Sequence, residues 1–458
     1  MIRQMGAVFT RFSERFMPNP MIFAILLTII TFLMGIGLTD TGFMGMVKDW
    51  YSGFWNLLTF TMQMVLILVT GHALAVAPGV KGFIEKIAGK PNNNAHAAAL
   101  TALVTCIFAW INWGLGLIVG ALFALEVGKQ AYKKGIKIHY PLVVAAGYSG
   151  QMVWHYGLSS SSALASATEG NFMEKIIGGL VPISESILTP YAILNSILMI
   201  LIVVPVIFYF MAPKKEDSVG IESYAPQLLE NESASSIEPV PDKETNRGKT
   251  NVADLLENSR LLSGFVVLIG LIYIVYHFIT NGFDLNLNIV NFIFLIVGLL
   301  LHQTPIRYID AITEATKGAS GIILQFPFYG GIMGMISLSG LGAVIAGWLL
   351  TFATPFTLPA ITWLTGGLVN IFVPSGGGEW SILGPIITPV AQDLGVPMGK
   401  IIVAFGAGDM WTNMFQPFWA IALLGITGMK ARDIMGYCMA LMILAAPFFF
   451  LGLTFIPY

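Results

Sequence analysis

The stretch "NIFVPSGGGEWSILGPIITP", Asn370 to Pro389, sets three consecutive glycines and a carboxylate, Glu379, inside a long apolar region. In a bilayer, backbone that leaves the helix has unpaired N–H and C=O groups, and it is tolerated only where it is buried in protein or lines a wet cavity. The stretch therefore predicts the tip of a reentrant hairpin. Glycines 376 to 378 are expected to let the chain reverse at membrane depth. Their amides, with the start of the following helix, would form an anion-binding concavity with Ser375.

The rest of the chain supplies the membrane. Of 458 residues, 56% are apolar and 10% charged, with a mean hydropathy of +0.77. The uncharged runs Met21 to Thr39, Tyr191 to Ala212, Leu261 to Thr280 and Met435 to Tyr458 are each long enough to cross roughly 30 Å of hydrocarbon. The first run follows Arg3, Arg11 and Arg15 but has no A-x-A-like site after it, so it reads as a retained helix and not a signal peptide. Cys106 and Cys438 lie alone in apolar segments, which supports neither a disulfide framework nor a metal site. An enzyme is disfavoured, because neither H-E-x-x-H nor G-x-S-x-G occurs.

The chain also repeats its order of parts. "GVKGFIEKIAGK" (Gly79 to Lys90) precedes an apolar hairpin broken at "WINWG" and then "YPLVVAAGYSGQMVWHYGLSSSSALASATEG". "LGAVIAGWLL" precedes a hairpin broken at "VPSGGGEW" and then "GKIIVAFGAGDMWTNMFQPFWAIALLGITG". Between the two halves lies the longest polar stretch, Lys214 to Arg260, which reads as a solvated linker. The expected architecture is an all-α polytopic membrane protein with an inverted repeat, two reentrant hairpins, two discontinuous helices and about nine full spans. The first repeat is placed at residues 1–212, with its hairpin at about 95–129 and its broken helix at about 141–168; the linker is 213–260 and an unpaired central helix 261–280. The second repeat is placed at 281–458, with a hairpin at about 356–394 and a broken helix at about 398–425.

Charge sets the orientation. With the N-terminus cytoplasmic and the C-terminus external, the outer segments carry only Lys48, Lys175 and Lys400 of 23 Lys plus Arg, and the linker is cytoplasmic. That bias requires the second half to be inverted.

Paired broken helices in corresponding positions of two inverted halves point to a transport site near the midplane. In the first half the candidate substrate contacts are Asn112, Trp113 and Gly114 at the hairpin tip, then Ser149, Gln151, His155, Ser159 and Ser160. In the second they are Ser375, Gly376, Gly377, Gly378, Thr412 and Asn413. The run Ser159 to Ser162 would cap a renewed helix, and Pro417 suits a first helical turn. Asp409, an intramembrane carboxylate, is a coupling candidate. Glu379 is either a second one or a first-turn residue opposite a helix dipole. His155 is either a satisfied interior histidine or a proton or ligand contact. No Lys or Arg lies in the proposed site, so a small monoanion fits better than a substrate with several carboxylates. Trp113, Trp154, Trp380 and Trp411 are candidates to surround a short apolar tail.

At these motifs the sequence resembles the short-chain fatty acid transporter family, bacterial permeases associated with acetoacetate and butyrate use. The likeness runs through "ERFMPNPMIFAILLTIITF", "GYSGQMVWHYGLSSSSAL", "FVPSGGGEWSILGP" and "GAGDMWTNMFQPFWA". It implies a secondary carrier of short-chain monocarboxylates in the bacterial inner membrane, coupled to H+ or Na+, with a C4 dicarboxylate carrier as the alternative. The implied partners are a small organic anion and the lipid bilayer, with neither a cofactor nor nucleic acid. The family is in turn similar to a superfamily of ion-coupled carboxylate transporters with two reentrant hairpins. That more distant likeness implies an elevator-like transport domain, a scaffold that forms a homodimer, and sodium loops at Asn112 to Gly114 and Ser375 to Gly378. The superfamily's Ser-Asn-Thr or Ser-Asn-Pro tips are not present in that form.

Overall fold

The computed structural model describes residues 20–230, 251–282, 285–371, 373–415 and 419–458. Arg3, Arg11, Arg15 and Pro417 lie outside them, as does the middle of the polar stretch. All regular structure among the described residues is helical.

The first half comprises α1 (Pro20–Leu38), α2 (Phe43–Phe54), α3 (Leu58–Ala75), α4 (Pro78–Ala88), the pair α5 (Asn94–Ile111) and α6 (Trp113–Lys133), the short α7 (Tyr140–Tyr148) and α8 (Ser161–Ala167), and α9 (Pro190–Met211). After α10 (Arg260–Asn281) come α11 (Leu287–His302), α12 (Pro305–Thr316), α13 (Ser320–Leu338), α14 (Leu341–Leu350), the pair α15 (Leu358–Asn370) and α16 (Gly376–Asp393), α17 (Met398–Thr412), α18 (Ala420–Thr427) and α19 (Ala431–Phe455). The starts are written in the sequence. Asn93, Thr189, Ser259 and Asn286 each accept a backbone N–H of the first turn of α5, α9, α10 and α11, which satisfies donors that a helix leaves open at its N-terminus.

The packing repeats reciprocally. Helix α1 lies on α13 as α11 lies on α3; α2 lies on α13 as α12 lies on α3. In the same way α3 and α4 pack on α6, and α13 and α14 pack on α16. Each half thus builds its neighbour's contacts with equivalent helices. The remaining helix, α10, has no counterpart among the described residues, and most of its large apolar side chains are exposed. Small residues make the close contacts. A Cβ on Gly53 of α2 would fall 2.3 Å from Gly330 O and 2.6 Å from Gly334 Cα of α13, the backbone approach on which helices in lipid rely.

Seven helices among the described residues are long and apolar enough to cross a membrane, and two further apolar helices, Ala24–Leu38 and Leu287–His302, are shorter. The polar stretch after α9 departs from a wholly solvated linker. Val219 donates its N–H to His139 Nδ1 at 3.2 Å and accepts that of Tyr140 at 2.9 Å, and Ile221 and Ala225 are buried. Their apolar side chains hold this segment beneath the first hairpin before the chain turns polar.

Candidate functional site

Both hairpins turn at a polar cap. Between α5 and α6 one residue, Asn112, takes extended dihedrals; its Oδ1 accepts Leu115 N–H at 2.8 Å, and its Nδ2 donates to Ile67 O of α3 at 3.3 Å. The arms touch closely, since a Cβ on Gly116 would fall 2.3 Å from Ala109 Cα. Gly114 lies against Leu68 O. Between α15 and α16 the turn falls around Pro374, and Ser375 Oγ accepts Gly378 N–H at 3.4 Å.

The three glycines have a different use from the one expected. None has a positive φ, and they form the first turn of α16. The reversal lies before them. What they provide is approach by three rings: a Cβ on Gly376 would fall 2.2 Å from His155 Nε2, one on Gly377 2.5 Å from Phe60 Cζ, and one on Gly378 2.3 Å from Tyr329 Cδ2. The turn of α16 is wedged between three separate elements, and any side chain there would collide.

The helix expected near 141–168 is broken in two. After α7 come two tight turns, at Ser149–Met152 and Trp154–Tyr156, and then Gly157 in extended backbone. Gly157 passes so close to Trp110 that a Cβ would sit 1.9 Å from its carbonyl oxygen, and Leu158 N–H donates to that oxygen at 2.8 Å. The first hairpin thereby satisfies the unwound backbone. The serines after it do not cap α8: Ser160, at the cap position, makes no capping bond. Ser159 Oγ accepts Trp113 N–H at 2.9 Å, and Ser160 and Ser162 reach His155 Nδ1 at 3.0 and 3.4 Å. Ser149 bonds back to Ala146 O.

In the second half α17 ends at Thr412. Asn370 Nδ2, at the end of α15, faces Asp409 O at 2.7 Å, Thr412 Oγ1 at 3.0 Å and Asn413 Oδ1 at 3.0 Å. Asn413 Nδ2 reaches across to Gln151 O at 3.2 Å, joining the two broken segments. Asn370 is absent from the residues expected from sequence; its signal was its place five residues before Ser375, at the helix end that the second tip requires.

Behind the second tip lie three ionisable groups. His155 Nε2 is 3.2 Å from Asp409 Oδ1, though not aligned as a hydrogen bond, and Gly366 faces both Glu379 and Asp409: a Cβ there would fall 3.4 Å from Glu379 Oε1 and 3.6 Å from Asp409 N. All three side chains are buried, and both oxygens of each carboxylate have no hydrogen-bond partner among the described residues. Buried carboxylates in that condition need a proton or a cation. Among the described residues no group of three or more His, Cys, Asp or Glu is placed to hold a metal ion.

In front of the tip is a cavity of about 20 Å³, room for about one water. Trp113, Gln151, Trp154 and Ser161 line it from the first half, Ser375, Gly376, Gly377 and Trp419 from the second. Met64 of α3 and Ile322 and Phe326 of α13 close it. Trp380 and Trp411 do not line it: Trp380 packs on Phe405, and Trp411 packs on Trp363 and donates to Met442 O. Trp419 takes the place expected of them, next to Trp113.

A helical membrane protein whose hairpin tips and broken helices meet at one buried cavity belongs to the class of membrane transporters. The family follows from comparison. The short chain fatty acid transporter family matches residues 1–456, and the chain belongs to it. A relative in Escherichia coli (strain K12) is 40% identical over 454 residues, covering 99% of this chain and all of the relative; one in Haemophilus influenzae is 40% identical over 462 residues, covering both chains completely. Both are named, provisionally, as short-chain fatty acid transporters. These are transporters and not enzymes. Two solved structures share the fold. MtrF of Neisseria gonorrhoeae, described within a class of antimetabolite efflux pumps, has a TM-score of 0.55 at 15% identity, covering 97% of each chain. The YdaH transporter of Alcanivorax borkumensis, described as having an unusual topology, has a TM-score of 0.53 at 16% identity, covering 95% of this chain and 97% of its own.

Proposed function

We propose that this protein is an ion-coupled secondary carrier of short-chain monocarboxylates, of the acetoacetate and butyrate class, in the bacterial inner membrane. One observation carries the reading: the cavity wall holds donors and no cation. Its polar members are Gln151, Ser161, the Ser375 hydroxyl, the first-turn amides at Gly376 and Gly377, and Trp154, whose indole N–H is buried without a partner. Amide donors at a helix start suit one carboxylate. Among the described residues no Lys or Arg lines the cavity to offer a counter-charge to a second one, which weighs against a dicarboxylate. Glu379 and Asp409 stand just behind, so an anion entering alone would meet negative charge, and its entry is favoured with a proton or Na+ at that pair. Counterflow in proteoliposomes should show labelled butyrate or acetoacetate exchanging with unlabelled acid. A clear preference for succinate would sink the claim.

The pairs α5–α6 and α15–α16 act as reentrant hairpins, the two halves are inverted, and the protein has about nine full spans. Both broken segments and both tips move together against α3 and α13, an elevator-like motion supported by the cavity lying between those two groups of elements. The N-terminus and the linker are cytoplasmic and the C-terminus external. Single-cysteine labelling, in a background without Cys106 and Cys438, should find Lys215→Cys reactive from the cytoplasm and Lys400→Cys from outside. Both on one side would remove the inversion.

A further inference from the structure

The cavity has a second wall, and its construction is regular. Met64 sits on α3, and Ile322 and Phe326 on α13, helices that occupy the same place in the two halves and touch each other. The register is visible in both sequence and structure. Phe60 and Met64 are the third and seventh residues of α3, Ile322 and Phe326 the third and seventh of α13, and a buried glutamine, Gln63 or Gln325, precedes the seventh in each. Phe60 stacks on Phe326 at 5.8 Å, and the Phe60 ring also abuts Gly377. Four apolar side chains at equivalent positions therefore form one continuous face, opposite the amides of the second tip.

The two ends of the cavity differ in chemistry. Donors gather at the tip, whereas α3 and α13 contribute carbon and sulfur only. An amphiphilic monoanion has one orientation that satisfies both. We infer that, when α3 and α13 part from the tips and widen the cavity beyond its present volume of about 20 Å³, the monoanion's carboxylate lies at the tip and its alkyl tail runs onto the Met64, Ile322 and Phe326 face, and that these side chains set the longest acid accepted. Phe326, braced by Phe60, is the fixed stop. Met64, unbranched and polarizable, is the part that adapts to tails of different length. This inference rests on the monocarboxylate reading given above.

The test measures exchange of labelled butyrate against a series of unlabelled acids from acetate to octanoate, in proteoliposomes of wild type, Phe326→Ala and Met64→Ala. Removing either side chain opens space for tail carbons, each worth about 0.8 kcal/mol or about fourfold in apparent affinity when buried. The best competitor should lengthen by about one to two carbons in each variant, with about fourfold to 16-fold tighter competition by hexanoate. Phe326→Leu, closer to the original volume, keeps the question answerable if the alanine variant is poorly assembled, and should shift the profile in the same direction by less. Quenching of tryptophan fluorescence by the same acids, through Trp113, Trp154 and Trp419, reads the length preference without requiring transport. Variants that bind or exchange butyrate with the wild-type length profile overturn the inference and leave the monocarboxylate reading intact. A wild-type protein that exchanges succinate and no monocarboxylate overturns both.

Discussion

Replacing Asp409 with Asn should abolish net, gradient-driven uptake while exchange of labelled for unlabelled acid survives. The variant keeps the shape of the side chain that faces His155 Nε2 at 3.2 Å but fixes its charge at zero, the state that a bound proton would give. A carrier that must release that proton on one side is then held loaded. It can still reorient with substrate, so exchange persists; it cannot return empty, so net flux stops. Net uptake should fall by at least about 100-fold, equivalent to about 2.7 kcal/mol or more on the return step, which needs a change of charge that the amide cannot make. If Na+ is the coupling ion, sodium dependence and substrate affinity are lost together instead. Wild-type uptake, pH profile and sodium response in the variant would reduce Asp409 to a buried polar residue.

Glu379 sharpens the same experiment. It lies against Gly366 as Asp409 does and has no hydrogen-bond partner among the described residues, so the two carboxylates should behave as one unit. Glu379→Gln then costs net uptake about as much as Asp409→Asn, and the double variant little more than either, because groups acting together are not additive. Its burial bears on the bland alternative: a carboxylate serving only a helix dipole would gain from water, and none of the Glu379 side chain is exposed.

Much of this arrangement was legible in the sequence, for physical reasons that differ by element. Apolar length marks membrane helices, and glycine or asparagine inside such length marks a break; that is why the turn at Asn112 stood out, and why the second was expected at Gly376 to Gly378 although it falls just before them. Burial of a carboxylate is costly enough that Asp409 drew attention by itself. Contacts between distant elements left no such mark. Nothing local to Met64 or Phe326 says that they close a cavity, and Trp419 and Trp411 look alike until one lies beside Trp113 and the other beside Trp363. The serine run shows the opposite error. Ser159 to Ser162 match a capping pattern, yet tertiary partners outcompete the cap: the Trp113 amide takes one hydroxyl and His155 two.

The glycines that began the reading give the other large effect. Gly376→Ala should remove exchange and net uptake together, unlike Asp409→Asn. The added methyl would lie 2.2 Å from His155 Nε2 and 3.0 Å from Ser161 Oγ. The ring cannot step aside, because the Trp154 ring lies tilted against it with centroids 3.7 Å apart, Ser160 and Ser162 approach Nδ1, and the Cα of Gly406 backs the ring so closely that a Cβ there would be 3.0 Å away. With the ring held, the added methyl pushes the tip out of the cavity, which disables the site at an overpacking cost of about 1–3 kcal/mol. Gly264→Ala and Gly347→Ala, in helices with nothing within 4 Å of the new Cβ, are the matched controls; they should leave transport unchanged and stabilise by about 0.5–1 kcal/mol through helix propensity. The cause is separable from general damage. Combining Gly376→Ala with His155→Ala removes the colliding ring, so exchange should return while net uptake stays lost. Wild-type exchange in Gly376→Ala alone would mean that the tip and the imidazole are not in contact during transport, and the three-ring account of the glycines would fall with it.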